Sequence, residues 1–371
     1  MMIMTIAVLL VLLLVLIVNG DHPLNKACAD FNYGSSQAAL AGLEKVYVCP
    51  NDGIAYTTCS ERYPIKDVKD IIESKLTIDN VTFMILVGSN SKYDATLWWL
   101  PLLSSYGNTN ILLVADACNS NSNSNSNTSI NNNYRNISNV NSLLCDDSAS
   151  KLYIHIRDNI KNINIYLHRV PVTDTGYQIL SCKLREGARR VYEMFPYQMY
   201  YFKLDTDTVV FPKRLVNLLR TLDAVSSPDA PIYFGTVVES GMNLLLCGRE
   251  GVGKDHGNQA KGGLCYGQGG AGYGLNNKAM KSLANSKQCD PSHPPNDVYF
   301  EDTYVGKRMY DEFNISVIHC GGLCSSEIMT NIRSQSSVSF HYVDGKWLRQ
   351  HGNNLLNHYN QQHPQHSPGI A

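Results

Sequence analysis

Continuous apolar runs alternate with amphipathic stretches through the middle of this 371-residue chain. "VTFMILVGS" (81–89) is apolar without interruption, the pattern of a strand covered on both faces. "LWWLPLLSSYG" reads as a short helix ending at Gly107, and "NILLVADA" as a second strand, so the two strands and the helix open a βαβ unit. "YQILSCKLREGARRVYEMF" (177–195) has helical periodicity in its second half, with Ala188, Val191, Tyr192 and Phe195 on one face. "YYFKLDTDTVVF" (200–211) follows as a strand that meets two carboxylates and then turns apolar again. In "FPKRLVNLLRTL", Pro212 starts a helix whose Leu215, Leu218, Leu219 and Leu222 face inward. "PIYFGTVV" and "LLLC" are strand-like, "NNKAMKSLAN" and "EDTYVGKRMYDEF" helical, and "SVSFHYVD" alternates as a late strand. The chain is therefore expected to fold as α/β.

The ends and one internal segment break this pattern. Residues 1–20 contain "MMIMTIAVLLVLLLVLIV", about 27 Å long as a helix at 1.5 Å per residue. No Lys or Arg precedes it, the first being Lys26, and "IVNGDHP" has no A-x-A cleavage site. We read it as a non-cleaved signal anchor, a cleaved signal peptide being the alternative. Residues 21–80, with Cys28, Cys49 and Cys59, form a cysteine-bearing stem. The Asn/Ser-rich tract within 118–146 is too polar to bury a core and is expected as a surface insertion; a Cys118–Cys145 disulfide stapling its base is one option, separate partners the other. The His/Gln-rich residues 347–371 are expected to be a disordered tail, leaving 81–346 as the main folded unit.

Formal charge is -1, with no basic stripe, so nucleic acid is not an expected partner. Eleven cysteines suit an oxidising lumen, and none forms the C-x-x-C pair of a structural zinc site. The odd count leaves at least one thiol free or paired between chains, as in a disulfide-linked homodimer. Sequons at Asn80, Asn127, Asn136 and Asn314 are consistent with a glycoprotein.

Four elements are candidates for chemistry. Asp205 and Asp207 lie at the carboxyl end of a strand, where α/β sheets meet ligands, and alternate positions point the same way. Two carboxylates there repel unless a cation lies near; the hard oxygens suit Mn²⁺ or Mg²⁺, while a simple turn or cap is the plain alternative. "YGQGGAGYGL" (266–275) allows close backbone approach. Glu301 and Asp302 occupy the first turn of a helix, where the dipole favours acids in any case. His341 sits mid-strand among apolar residues, as a core histidine or a metal ligand. "GREGVGKD" (248–255) mimics a P-loop, but Asp255 replaces the Ser or Thr and no helix signal follows.

In their order and spacing, "EGARRVYEMF…YYFKLDTDTVVFPKRL", "GGAGYGLNNKAM", "EDTYVGKRM" and "VSFHYV" resemble the fringe and core 1 β1,3-galactosyltransferase family over roughly residues 81–346. This is a family of inverting β1,3-glycosyltransferases with a GT-A fold, Rossmann-like with a mixed central sheet. The resemblance implies that Asp205-Thr206-Asp207 is the family's D-x-D, with Thr206 where many members have a third acid. Asp205, Asp207 and His341 would form a Mn²⁺ site, Asp207 ligating directly and Asp205 also holding the ribose or an ordered water. Asp302 would be the catalytic base with Glu301 its neighbour, raising its pKa. Gly269, Gly270, Ala271 and Gly272 would line the donor-sugar pocket, and Asp116 would contact the uridine end. It further implies a UDP-sugar donor (most simply galactose), a glycan or glycoprotein acceptor, and a Golgi membrane location with a lumenal catalytic domain. The rivals are a catalytically silent lumenal folding helper and a secreted carbohydrate-binding module.

Overall fold

The structure, a computed structural model, describes residues 49–50, 74–88, 91–118, 144–170, 177–239, 265–287, 300–320, 323–324 and 338–362. The expected anchor (1–20), most of the stem, the Asn-rich tract, the "LLLC" strand, the P-loop-like run and residues 363–371 lie outside these. Among the described residues no helix is long and apolar enough to cross a membrane.

Thirteen strands are described: β1 (Cys49–Pro50), β2 (Val81–Val87), β3 (Thr109–Asp116), β4 (Ile163–Val170), β5 (Tyr200–Asp205), β6 (Val209–Val210), β7 (Tyr233–Gly235), β8 (Val237–Glu239), β9 (Cys265–Gly267), β10 (Tyr273–Asn276), β11 (Val317–His319), β12 (Leu323–Cys324) and β13 (Ser339–Phe340). Seven helices accompany them: α1 (Asp94–Tyr106), α2 (Ser148–Asn159), α3 (Tyr177–Met194), α4 (Pro212–Val225), α5 (Asn277–Ala284), α6 (Glu301–Phe313) and α7 (Gly345–Gln362). The central sheet runs β1-β11-β7-β10-β5-β2-β3-β4. β4, β3, β2 and β5 are mutually parallel, β10 is antiparallel to both β5 and β7, and β11 is parallel to β7. The expected α/β class and mixed central sheet are therefore present.

The period-2 alternation of strands divides the apolar residues between two faces. Phe83, Ile85, Ile111, Leu113, Phe202 and Leu204 join α1, α2, α4 and α7 in one buried cluster. Met84, Leu86, Leu112, Val114 and Tyr201 join α3, α5 and α6 in the other. Burying a large aliphatic or aromatic side chain contributes about 1.5–3 kcal/mol, so both layers bind firmly to the sheet. Tyr201, Lys203 and Asp205 alternate with Phe202 and Leu204, which places Lys203 and Asp205 on the α3/α5/α6 side. Pro212 is at the N-terminus of α4, and Leu215, Leu218, Leu219 and Leu222 are buried as expected.

Two expected boundaries are corrected. The tail expected to be disordered from 347 is helical to Gln362. Asp344 Oδ1 caps it by accepting from Trp347 N–H (2.7 Å), and Leu355 and Tyr359, one turn apart, enter the core. Tyr359 donates its hydroxyl to Tyr106 (2.8 Å) and packs its ring 5.1 Å from Phe211. The domain also begins before 81: Leu76 and Ile78 are buried, and Arg220 Nε donates to Leu76 O (2.9 Å).

Cys118 and Cys145 are joined across the ends of the Asn-rich tract, 27 residues apart. Loop closure by this bond constrains the unfolded chain by about 3.5 kcal/mol. Cys118→Ser is accordingly expected to lower the urea midpoint by the equivalent of about 3 kcal/mol, read by circular dichroism without reductant. Cys320 is a free thiol but wholly buried, so it does not provide a bridge between chains. Of the described sequons, Asn80 accepts from Thr77 N–H and its Thr82 is buried in β2, whereas Asn314 is exposed at the left-handed end of α6 (φ 55). Of these two described sequons, Asn314 is the one placed for modification.

Candidate active site

β5 ends at Asp205, and residues 206–207 turn the chain into β6. Thr208 N–H donates to Asp205 O (3.3 Å), and Thr96 Oγ1 of α1 donates to Thr206 O (2.9 Å). β6 then pairs antiparallel with β13, Val209 opposite Phe340 and Val210 opposite Ser339. This register brings the residue after β13, His341, to the Asp205–Asp207 turn. Val343 N–H closes the junction by donating to Asp207 O (2.9 Å). His341 is thus just past the strand rather than mid-strand as expected. Tyr342 makes the bend with a left-handed backbone (φ 59) at a cost of about 1–2 kcal/mol. Its ring stacks on His341, centroids 3.7 Å apart.

Asp205, Asp207 and His341 each offer a ligand atom within 4.8 Å of the others. His341 Nε2 lies 3.4 Å from Asp207 Oδ1, and its buried Nδ1 has no hydrogen-bond partner. Two hard oxygens and an imidazole nitrogen suit Mn²⁺, and a buried histidine whose Nε2 faces Asp207 with no hydrogen bond spent on Nδ1 fits a cation ligand.

The glycine turn supports this group from beneath. A Cβ on Gly270 would lie 1.9 Å from His341 Cε1 and 2.1 Å from Nδ1, so only glycine lets the ring sit there. Thr208 Oγ1 pins the turn through Gly270 O (2.7 Å). Gly272 has φ 87, a conformation that favours glycine. Of the four turn residues, Gly270 lines the cleft, whereas Ala271 is fully buried with its carbonyl bonded to Ser339 Oγ, Gly269 is buried, and Gly272 packs on Leu204. Gly270→Ala is expected to weaken Mn²⁺ binding about 10–100-fold while the far-ultraviolet spectrum is unchanged; calorimetric titration measures it.

Glu301 and Asp302 start α6, as expected, but their environments differ. Glu301 is buried and takes the Lys203 ammonium. Asp302 Oδ2 accepts from Gly269 N–H (3.0 Å) and Oδ1 from Thr303 N–H (2.7 Å). Burial and then the neighbouring Glu301 push the Asp302 carboxyl up to about 6, against these two donors and Lys203. Asp302, Asp205, Asp207 and His341 line one cleft of about 970 Å³, with Lys183, Tyr266 and Gln268 among its walls.

Two placements were not expected. Asp116, at the end of β3, is outside the cleft lining; its carboxylate pairs with Lys183 Nζ (2.9 Å), and Lys183 faces the cleft in its place. Lys203 has a fully buried side chain, and its Nζ meets Asp205 Oδ1 (2.8 Å), Glu301 and Gly269 O (3.3 Å). Burial opposes its charge, but Asp205 and Glu301 hold it above the ordinary lysine value. Its signal was present in "YYFKLD": a lysine inside an apolar strand, two residues from an acid on the same face, needs a partner.

No curated protein matches this chain. Among solved structures, a glycosyltransferase involved in the glycosylation of the major capsid of PBCV-1 superposes with TM-score 0.34 and 10% identity, over 74% of this chain and 98% of that one. That likeness is too distant to bear on the chemistry. Residues 169–321, which carry Asp205, Asp207, the glycine turn, Glu301 and Asp302, match the model of the Galactosyltransferase family.

Proposed function

We propose that the protein is a metal-dependent inverting β1,3-glycosyltransferase of GT-A architecture that transfers galactose from UDP-galactose to a glycan hydroxyl. One observation carries this reading: three side chains able to hold a cation and the carboxylate of Asp302 line the same cleft at the carboxyl end of the parallel strands. The galactosyltransferase match over the same residues supports it.

Asp205, Asp207 and His341 would hold Mn²⁺, which when bound offsets the charge of the departing diphosphate. Asp302 takes the proton of the acceptor hydroxyl as that oxygen attacks the anomeric carbon. Its two backbone donors fix the carboxylate plane, and its raised pKa matches a base working near neutrality. A single base suffices for inversion, by analogy with hydrolases. With the apolar N-terminal run as an anchor, the catalytic domain would face the Golgi lumen.

The test is transfer from UDP-galactose, UDP-N-acetylglucosamine and UDP-glucose to simple glycosides, with Mn²⁺ and with EDTA. UDP-galactose turnover that EDTA abolishes is expected. Absence of transfer from all three donors would reject the reading.

A further inference from the structure

We propose that Lys203 is a positioning residue that ties the cation end of the cleft to its proton-accepting end. This rests on the glycosyltransferase reading of the site and goes beyond it by assigning a role to a residue that touches neither substrate nor ion.

An ammonium has three donors. Those of Lys203 have one acceptor from each of three elements: Asp205 on β5, Glu301 on α6 and the carbonyl of Gly269 in the glycine turn. Each acceptor belongs to the machinery. Asp205 is one of the three cation ligands. Glu301 precedes Asp302 in the first turn of α6. Gly269 gives its N–H to Asp302 Oδ2 while its carbonyl accepts from Lys203. The ammonium therefore sets where β5, α6 and the turn sit relative to one another. It is absent from the cleft lining, and its side chain is fully buried, so it acts through these partners.

Gly269 belongs to the same device. A Cβ there would be 2.1 Å from Glu301 Oε1 and 3.2 Å from Lys203 Nζ, so a side chain would drive apart the pair that fixes α6. The Tyr273 ring, 5.7 Å from Nζ, closes the remaining side. Burying one cation between two carboxylates is costly unless every donor is met, and here each has its acceptor.

A purely stabilising role predicts something different from positioning. Lys203→Met with Glu301→Gln removes one positive and one negative charge together, so the fold keeps its charge balance while the strut is gone. The double variant is expected to melt within a few degrees of wild type. It should bind Mn²⁺ about 10–100-fold more weakly and turn over about 10–100-fold more slowly, the usual effect of losing a supporting partner. Glu301→Gln alone keeps the Lys203–Asp205 arm. It should hold Mn²⁺ within threefold of wild type yet lose about tenfold in turnover, a separation of the two ends that general destabilisation does not produce. A folded double variant with Mn²⁺ affinity and turnover within threefold of wild type would overturn the proposal. If the double variant does not fold, Glu301→Gln decides: loss of both properties, or of neither, overturns it. If wild type transfers no sugar, the glycosyltransferase reading fails, and the Mn²⁺ titrations of the same variants still decide the strut between Lys203 and Asp205.

Discussion

Asp302→Asn is expected to reduce turnover about 10²–10⁴-fold, the range for losing a general base, while UDP and Mn²⁺ bind within threefold of wild type. Asparagine keeps the shape and can still accept from Gly269 or Thr303, but it takes no proton. The proposed cation ligands lie on β5, its following turn and the bend after β13, so the substitution leaves them in place. The pH profile should agree. Burial and Glu301 raise the Asp302 carboxyl to about 6, so turnover falls tenfold per unit below about pH 6 and levels above it. Stability should change in the opposite sense. Between the ordinary carboxylate value of 3.8 and about 6 the native chain binds more protons at Asp302 than the unfolded chain. Stability from this group is therefore present at low pH and lost as pH rises through about 6. The asparagine variant escapes that loss. It should melt above wild type at pH 7.5 and level with it at pH 4, as scanning calorimetry at both values would show. Equal losses of turnover and UDP binding would remove Asp302 from the role of base.

What could be read before folding was whatever is periodic and local. β2, β3 and β5 are apolar runs with no competing pattern, and Pro212 with its leucines marks α4 unambiguously. α7 was missed because Asn, His and Gln dilute its period, although Asp344, Leu355 and Tyr359 define a capped amphipathic helix. The first half of α3 was obscured in the same way by Ser181, Cys182 and Lys183, polar or small residues that are nonetheless buried. Within the site, residue types were legible and relations were not. That Asp205 and Asp207 wanted a counter-charge followed from their spacing. That part of it is an internal lysine two residues upstream depends on α6 closing over β5. The glycines announced close approach, but what approaches is decided by the β6–β13 register and the start of α6, which bring His341 onto Gly270 and Glu301 onto Gly269.

That register also sets the second large effect. Asp207→Asn and His341→Ala should each weaken Mn²⁺ binding more than about 100-fold, beyond the 10–100-fold typical of supporting residues, and reduce Mn²⁺-dependent turnover at least as much. The two variants should differ in stability. Asp207 is 38% exposed and stands beside Asp205, so the neutral amide relieves repulsion and the metal-free melting temperature holds or rises. His341 is buried under Tyr342 and against Gly270, so alanine leaves a void and melting falls. Asp207→Asn is accordingly the cleaner probe, and electron paramagnetic resonance of free Mn²⁺ its direct measurement. The decisive variant is the pair. If both side chains hold one ion, the first substitution already removes what the second would, and the double variant should be no slower than the worse single one by more than about threefold. Losses that multiply instead would mean that Asp207 and His341, 3.4 Å apart at their closest atoms, serve separate ends and share no cation.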